Sequence, residues 1–386
     1  MNKKLKKFKY VQYLVNVIFL GAMMVYGNYA AAKLPNQIYE LDLLHFYLYL
    51  VVILISFCLL CYVVYFVSII IHEVGHLIFG LCSKLNFVSF NVYKYTFYIE
   101  DNKLKVEKDT KIPSIMGYCN MSFDKDKKYS KKNVIIYMLG GIIFNLILMI
   151  ISIILMVYTS NVYLKLVYIL IITVNSYLAI YNAIPTVAKS GVASDALNII
   201  YCLSDDEYIN TLSRLNVLQS MLAKGCKLKD IDKNLLCKPD TFKTNSDVLN
   251  ALFYVDYLCS NEKYYEASEY AKKILKEAKD FVSKPNMISL KLSLISCIFY
   301  TNDNLDEIKE LWSEEIKKYL DFIGKIVPVG IAYNYLYATL IEKNEDNSKK
   351  YLNQFQQLNK KKYDKYQIEE AEKLINDVNK RKESLK

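Results

Sequence analysis

The sequence predicts an all-α polytopic membrane protein with about four transmembrane helices, a small cytosolic β-hairpin and a C-terminal cytosolic α-helical, repeat-like domain. Hydrophobic residues make up 53% of the 386 residues, yet the mean hydropathy is only +0.13 because 23% of the residues are charged. All long apolar runs and nearly all of the net charge of +10 belong to the first 200 residues. This segregation predicts a membrane domain over 1–200 and a helical domain over 201–386.

Four apolar segments are long enough to cross a membrane as helices, and they occupy residues 10–32, 43–83, 134–158 and 162–184. The first is longer than the apolar part of a signal peptide, so we predict a retained helix. The second would extend about 60 Å as a helix, roughly twice the thickness of the hydrocarbon core. It must therefore project from the membrane, tilt or break.

The distribution of lysines predicts the orientation of these helices. Five lysines precede the first apolar segment, and the loop 84–133 holds 11 lysines and 6 acidic residues. Basic residues favour the cytosolic side, so we predict that this loop and both termini are cytosolic in a multi-pass protein of a bacterial-type cell membrane. We attribute the excess of basic residues to this orientation in the lipid bilayer. No pattern of aromatic and basic residues indicates a nucleic-acid partner.

The charged loop contains the signal for a β-hairpin. Residues 87–99 alternate and are rich in β-formers, Asp101-Asn102 marks a turn, and 104–107 resume the alternation. Two uses of this hairpin are open: strand addition to an extended peptide, or packing on lipid headgroups.

Beyond about residue 203 the sequence becomes charged with helical periodicity. The segments 265–275, 305–320 and 347–358 recur at about 40 residues, each after a polar turn. They resemble tetratricopeptide repeats weakly, because the period is too long. A short solenoid would offer a concave surface to a cytosolic protein or peptide partner. A compact helical cap is the alternative.

The second apolar segment contains His72-Glu73-Val74-Gly75-His76, and Glu73 is the one ionisable carboxylate between Asp42 and Lys84. On a helix, histidines four residues apart share a face and can bind one Zn²⁺. The glutamate between them can take a proton from water that the metal activates. A carboxylate within the membrane is costly and indicates a functional site.

A third ligand must come from elsewhere, because a catalytic zinc usually has three protein ligands. The chain has only three histidines, and His45 precedes His72 by 27 residues, about 40 Å along a helix. We therefore interpret His45 as an interfacial residue at the outer membrane surface. An acidic residue or a cysteine must therefore supply the third ligand, and Asp195 is the only acidic residue of the first 200 that follows the charged loop.

Three segments together resemble a known family. HEVGH, Gly141-Ile142-Ile143-Phe144-Asn145, and the segment from Asn182 through Pro185 to Asp195 resemble, in this order, the three signatures of the site-2 protease family of intramembrane zinc metalloproteases, peptidase family M50. That family carries HExxH, Gly-x-x-x-Asn and Asn-x-x-Pro…Asp-Gly on three core helices. Two departures are visible: nine residues separate Pro185 from Asp195, and Ala196 replaces the usual glycine.

The resemblance implies roles for individual residues. Zinc would be held by His72, His76 and Asp195, and Glu73 would be catalytic. The substrate-binding residues would be Asn145, Asn182, Gly141 and Pro185. The two amides could bind the substrate backbone or the developing oxyanion. Hydrogen bonding between helices is the alternative for the asparagines, and close helix packing is the alternative for Gly141.

The functional expectation is an intramembrane zinc endopeptidase that hydrolyses membrane-inserted peptides or proteins, with Glu73 as general base. Its role would be regulated proteolysis or the maturation of a secreted peptide. The alternative is a catalytically inactive membrane scaffold or immunity protein that binds a partner through its cytosolic helical repeats. Intact Glu73 argues against the scaffold, whereas Ala196 and the long spacing before Asp195 favour it.

Overall fold

The computed structural model describes residues 2–33, 42–93, 95–100, 103–108, 117–122, 130–187, 193–223, 226–278, 282, 284–301, 305–323, 327–358 and 365–384. Most of them are helical. They divide into two compact units. The first contains the described residues up to 92, from 117 to 187 and from 193 to 209, and the second contains those from 93 to 108 and from 210 onward.

The first unit is built on four long apolar helices and one short helix: α1 (Asn2–Ala31), α2 (Leu43–Cys82), α3 (Lys131–Tyr158), α4 (Val162–Ala183) and α5 (Asp195–Ser204). Each of α1 to α4 is long and apolar enough to cross a membrane, which confirms that the four predicted apolar segments are helices of sufficient length. Their outer surfaces carry large apolar side chains that are exposed in the isolated chain, as expected of helices surrounded by lipid.

Helix α2 is one unbroken helix of 40 residues, about 60 Å long. It begins at Asp42, whose side chain accepts a hydrogen bond from the backbone N–H of His45 at 3.1 Å. The apolar segment 43–83 therefore does not break into two helices. Since the helix is about twice as long as the hydrocarbon core is thick, part of α2 must project or the whole helix must tilt.

Helices α2 and α3 touch through glycines. A Cβ atom added to Gly75 would lie 2.3 Å from the backbone oxygen of Gly140, and one added to Gly140 would lie 2.4 Å from the oxygen of Gly75. Only glycine permits backbones to approach this closely, a common device of membrane helix pairs. The close crossing brings α3 directly beside the histidines of α2.

Helix α1 packs on α4. The ring of Phe19 stacks on Tyr177 with centroids 4.2 Å apart, and the hydroxyl of Tyr26 donates to the backbone oxygen of Leu166 at 3.0 Å. The connection from α3 to α4 is short, and Asn161 caps α4 by accepting from two backbone N–H groups. Helix α4 ends at Ala183, two residues before Pro185, as expected from the restriction that proline imposes on preceding residues.

The charged loop forms a larger structure than the predicted hairpin. Four strands, β1 (Asn86–Val92), β2 (Tyr95–Glu100), β3 (Lys103–Lys108) and β4 (Gly117–Ser122), make an antiparallel sheet in the order β3-β2-β1-β4. The turn at residues 101–102 lies outside the described residues, but the register of Glu100 with Lys103 agrees with it. The predicted single strand 87–99 is wrong, because the chain breaks at Tyr93, which adopts φ 56°.

The second unit is helical from residue 210 onward. Its helices are α6 (Tyr208–Ala223), α7 (Asn245–Ser260), α8 (Tyr264–Glu277), α9 (Lys284–Thr301), α10 (Asp306–Leu311), α11 (Glu314–Ile323), α12 (Pro328–Leu336), α13 (Glu345–Gln356) and α14 (Lys365–Ser384). A large apolar core runs from Phe242 to Val378. The three predicted helical segments coincide with α8, with α10 and α11, and with α13. Their arrangement as repeats stays a prediction.

Candidate metal centre

Helix α2 presents His72, Glu73 and His76 inside the first unit. Their exposed fractions are 7%, 8% and 6%. The four-residue spacing places both imidazoles on one face of the helix. The same face meets α3 at the glycine crossing, so the imidazoles lie between two helices instead of facing lipid.

Asp195 reaches the same place from the start of α5. Ser194 caps this helix: its hydroxyl oxygen accepts from the backbone N–H of Leu197 at 3.4 Å. Ser194 also donates to the backbone oxygen of Ile184 at 2.8 Å and accepts from the N–H of Thr186 at 3.1 Å. These bonds fix Asp195, the first residue of α5, relative to the end of α4.

The long spacing between Pro185 and Asp195 is accommodated by a closed loop. Val187 and Ala193 form an antiparallel bridge, and the N–H of Ser194 donates to the backbone oxygen of Thr186 at 2.9 Å. Residues 188–192 lie outside the described residues. Because the bridge joins the two ends of the insertion, Asp195 remains close to the end of α4 despite the extra length.

The three predicted ligands converge. The Nε2 atoms of His72 and His76 are 3.2 Å apart, and Oδ2 of Asp195 lies 3.3 Å from the first and 3.5 Å from the second. Ligand atoms about 2.0–2.2 Å from a tetrahedral zinc are about 3.3–3.6 Å from one another. The three atoms therefore have the spacing of one face of a zinc tetrahedron. Among the described residues this is the one such group of His, Cys, Asp or Glu side chains.

Two further observations fit a cation at this position. Oδ2 of Asp195 is buried and has no hydrogen-bond partner of normal geometry in the structure. Burial disfavours the charged carboxyl, but attraction to the protonated forms of His76 and His72 outweighs it and holds the pKa of Asp195 below its ordinary value. The carboxylate is directed at the two Nε2 atoms, where a metal would neutralise its charge.

The second ring nitrogen of each histidine has a polar neighbour on α3. Nδ1 of His76 lies 2.9 Å from the backbone oxygen of Tyr137, and Nδ1 of His72 lies 3.3 Å from the amide nitrogen of Asn145. A carbonyl oxygen can only accept, so Nδ1 of His76 carries a proton, and in the neutral ring Nε2 keeps a lone pair for a metal. Such a partner is the usual support for a metal-binding histidine.

Glu73 lies against the edge strand β4. The backbone of Cys119 hydrogen-bonds the Glu73 carboxylate, and a Cβ added to Gly117 would lie 2.8 Å from Cγ of Glu73. The hydroxyl of Tyr137 donates to the backbone oxygen of Cys119. Burial together with the nearby negative charge of Glu73 raises the pKa of the Cys119 thiol, which is therefore uncharged.

The four predicted substrate-binding residues have different surroundings. Gly141 lies against the imidazoles: a Cβ there would be 2.5 Å from Nε2 of His72. Asn145, fully buried, contacts His72 across the helix pair. The amide of Asn182 donates to the backbone oxygen of Leu178 in its own helix at 3.1 Å. Pro185 is buried directly after α4. Their contact with substrate stays a prediction.

His45 is remote from the metal centre, as predicted. It lies in the first turn of α2, where its ring contacts the side chain of Asp42. The 27 residues to His72 are all in one helix, so the two are about 40 Å apart. The elimination of His45 as a ligand is confirmed.

Several residues of the site had not been predicted from the sequence. Tyr137 contributes through its backbone oxygen and its hydroxyl, Ser194 through the cap before Asp195, and Gly117 and Cys119 through the strand beside Glu73. A capping serine before an acidic residue is a detectable pattern. The other contacts depend on how α3 and β4 pack, and no local pattern indicates them.

Comparison with known proteins places these residues in a family. A family model described as peptidase family M50 matches residues 60–369. The matched segment contains the three predicted ligands and Glu73, and it extends far beyond the three motifs that carry the sequence resemblance, which end at Ala196. No curated protein and no solved structure matches the chain significantly. Because the match covers most of the chain, the protein belongs to peptidase family M50, a family that in general comprises intramembrane zinc metalloproteases.

Proposed function

We propose that the protein is an intramembrane zinc endopeptidase that hydrolyses peptide bonds of membrane-inserted peptides or proteins. One observation carries the proposal: two histidines on a helix apolar enough to span a membrane meet an aspartate from the start of α5 at the spacing of zinc ligands, next to a buried glutamate. Each of these ionisable groups would be costly in a purely structural role at such a place.

His72, His76 and Asp195 would hold the zinc ion, which would supply Lewis acidity toward a carbonyl oxygen and toward water. Glu73 takes a proton from the attacking water and then delivers it to the leaving amine. The backbone of Cys119 orients the Glu73 carboxylate. The aliphatic surroundings exclude bulk water, which strengthens these electrostatic interactions.

The substrate must unwind before it can be cut. A membrane-spanning helix hides its peptide groups in internal hydrogen bonds, so the scissile bond becomes accessible only in an extended segment. Strand β4 lies against Glu73 at an edge of the sheet. An extended substrate segment near Glu73 would lie beside β4 and would add to the sheet as a further strand. It would pair with residues of β4 other than Cys119, because the backbone of Cys119 already hydrogen-bonds Glu73 and Tyr137.

The biological setting is also part of the proposal. Glu73 precedes the end of α2 by nine residues, about 14 Å along the helix. With the lysine-rich loop in the cytosol, cleavage would occur within the membrane near its cytosolic face. Both release of a membrane-anchored regulator and maturation of a secreted peptide fit this location. The C-terminal helices would bind a cytosolic protein or peptide.

The test combines metal analysis with a cleavage assay. The wild-type protein and its Glu73→Gln and Asp195→Asn variants are purified in detergent, bound zinc is measured by mass spectrometry, and cleavage of membrane-spanning peptides is followed. We expect zinc in the wild type and in Glu73→Gln, reduced zinc in Asp195→Asn, and cleavage by the wild type alone. Glu266→Gln, an exposed change on α8, is the matched control and should behave as wild type.

Two outcomes would contradict the proposal in different ways. Cleavage that survives Glu73→Gln would refute Glu73 as the general base. A wild-type protein that holds no zinc would favour the inactive scaffold or immunity protein, and a search for partners of the C-terminal helices would then be the next experiment.

A further inference from the structure

The amide of Asn145 is a buried group with an unused acceptor. Its side chain is fully buried in α3, its nitrogen lies 3.3 Å from Nδ1 of His72, and its oxygen Oδ1 has no hydrogen-bond partner in the structure. A buried polar atom left without a partner typically costs about 1–3 kcal/mol. Rotation of this amide by about 180° would exchange its oxygen and nitrogen without changing its shape.

The orientation of the amide decides which nitrogen of His72 carries the proton. If the amide nitrogen donates to Nδ1, then Nδ1 is an acceptor and the proton of the neutral ring is on Nε2. Nε2 is the atom that faces Oδ2 of Asp195 at 3.3 Å and Nε2 of His76 at 3.2 Å. A protonated Nε2 has no lone pair, so this tautomer is incompatible with a metal at that point.

Exchanging the oxygen and nitrogen of the amide removes the conflict. The two atoms are nearly identical in shape, and their assignment follows from the hydrogen bonds they make. After the exchange, Oδ1 accepts from Nδ1–H of His72, and Nε2 regains its lone pair. His72 then matches His76, whose Nδ1–H donates to the backbone oxygen of Tyr137. The amide nitrogen then takes the buried position that Oδ1 occupies in the structure.

We propose that Asn145 is a positioning residue whose amide oxygen accepts a hydrogen bond from Nδ1–H of His72 and so keeps Nε2 of His72 available for the metal. The inference rests on the proposed function only in requiring zinc at His72, His76 and Asp195. It differs from the substrate-binding role predicted from the sequence, because it acts on metal affinity and needs no substrate.

Zinc affinity distinguishes the two roles. The zinc dissociation constants of the purified full-length wild type, Asn145→Leu and Asn145→Asp are measured by competition with a chelator, in the absence of substrate. Leucine fills the space without an acceptor, and we expect it to weaken zinc binding about 10- to 100-fold, as loss of such outer partners usually does. Aspartate offers acceptors only, and we expect it to bind zinc at least as tightly as wild type.

Asn175→Leu is the matched control. Asn175 is also a fully buried amide in a membrane helix, with an unpartnered Oδ1 and a nitrogen that donates to the hydroxyl of Ser68 at 3.0 Å. Its replacement removes the same chemical group but leaves His72 untouched, so zinc affinity should remain at the wild-type value. The monodispersity and unfolding temperature of every variant are recorded beside the affinity.

The outcomes separate this inference from the proposed function. Wild-type affinity in Asn145→Leu would overturn the inference while leaving the zinc peptidase intact. Equal weakening by leucine and aspartate would also overturn it, because the amide would then act as a donor. A wild type without zinc would overturn the proposed function and this inference together. If Asn145→Leu does not fold, retention of tight zinc binding by Asn145→Asp decides in favour of the acceptor role.

Discussion

Gly141 has no Cβ atom, and this leaves room for the imidazoles of His72 and His76. A Cβ at this position would lie 2.5 Å from Nε2 of His72 and 2.6 Å from Nε2 of His76. We predict that Gly141→Ala displaces the imidazoles, destabilises the protein by about 1–3 kcal/mol and removes most of the bound zinc. Metal analysis of the purified variant measures the effect.

Gly27→Ala is the control for this substitution. Gly27 is also helical, in α1, and an added Cβ would meet no atom within 4 Å. We expect Gly27→Ala to keep zinc at the wild-type level and to be equally or slightly more stable, because alanine favours the helix. Full zinc occupancy in Gly141→Ala would show that α3 can move away from the histidines.

Ser194 holds Asp195, the predicted third ligand, in place by three hydrogen bonds, to Ile184, Thr186 and Leu197. We predict that Ser194→Ala costs about 1 kcal/mol of stability, the usual contribution of a helix cap, and weakens zinc binding because Asp195 loses its fixed position. Zinc titration and thermal unfolding measure the two effects.

Thr244→Ala separates the cap from the ligand. Thr244 caps α7 in the second unit by accepting from the backbone N–H of Asp247. We expect a similar loss of stability with no change in zinc affinity. If Ser194→Ala bound zinc as tightly as Thr244→Ala, the hydrogen bonds of Ser194 would not be needed to position Asp195.

Asp256 introduces a pH dependence in the second unit. Burial raises its pKa from 3.8 to about 6, although Ser293 donates to the carboxylate at 3.0 Å. Because the folded-state pKa is raised, this carboxyl favours folding most at low pH, and the contribution is lost as the pH rises from about 4 through about 6. Asp256→Asn should therefore stabilise the protein at pH 8 by about 1–3 kcal/mol and much less at pH 4.

The measurement is the unfolding temperature of the purified protein between pH 4 and pH 8. Asparagine can still accept the hydrogen bond from Ser293, so the comparison isolates the charge of the partly buried Asp256. Asp230→Asn, an exposed change, controls for the altered net charge. A stabilisation by Asp256→Asn that is the same at every pH would exclude the titration of Asp256 as its cause.

At the residue scale, the sequence predicts the chemically demanding part of the site and misses its supports. HExxH spacing and the scarcity of histidines and intramembrane acids predict His72, Glu73, His76 and Asp195, because metal chemistry restricts residue type. Tyr137 uses a backbone oxygen that every residue possesses, so only the crossing of α2 and α3 selects it. Such supports cannot be read from residue type.

At the scale of elements, helices were predicted better than strands. Long apolar runs define α1 to α4 because lipid leaves the backbone few alternatives to the helix. Strand β4, in contrast, has the mixed sequence Gly117–Ser122, which carries little β-propensity. It is a strand because it pairs with β1, with Phe90 opposite Cys119, and this pairing depends on a distant segment. The break at Tyr93 has no glycine to signal it.

The attachment of β4 to α3 is the element-scale feature with the clearest consequence for catalysis. The hydroxyl of Tyr137 donates to Cys119, and the backbone of Cys119 hydrogen-bonds Glu73. We predict that Tyr137→Phe leaves zinc affinity unchanged, since the backbone oxygen that supports His76 remains, but lowers kcat of peptide cleavage up to about tenfold. This is the effect of about 1 kcal/mol from one hydrogen bond.

Tyr208→Phe is the control, because the buried Tyr208 also loses a hydroxyl that donates to a neighbour, Asn198, at 2.6 Å. It should alter stability slightly and leave kcat unchanged. Loss of zinc from Tyr137→Phe would contradict the assignment, since it would mean that the hydroxyl supports the metal site itself.

At the scale of the whole molecule, the family match includes the C-terminal helices. The sequence signatures end near residue 200, but the match continues to residue 369, within α14. The helices of the second unit are therefore part of what relates this chain to peptidase family M50. Their core, from Phe242 to Val378, is formed by residues distant in sequence, so periodicity predicts the helices but not their packing.

The orientation of the molecule in the membrane can be tested by labelling cysteines on its two sides. The lysine-rich loop predicts that both termini are cytosolic, so Lys33, after α1, should be on the opposite side from Cys226, after α6. Both positions are exposed. Two single-cysteine variants, one with Lys33→Cys and one that retains Cys226, are treated with a membrane-impermeant maleimide in intact and in permeabilised cells.

We expect position 33 to be labelled in intact cells and Cys226 only after permeabilisation. A variant that retains only Cys58, which is exposed on the apolar surface of α2, should resist labelling in both conditions, because a charged, membrane-impermeant maleimide does not enter hydrocarbon. Labelling of Cys226 in intact cells would reverse the orientation. The metal centre, nine residues from the end of α2 that Cys82 marks, would then open toward the outside, and secreted peptides rather than cytosolic regulators would be the substrates within reach.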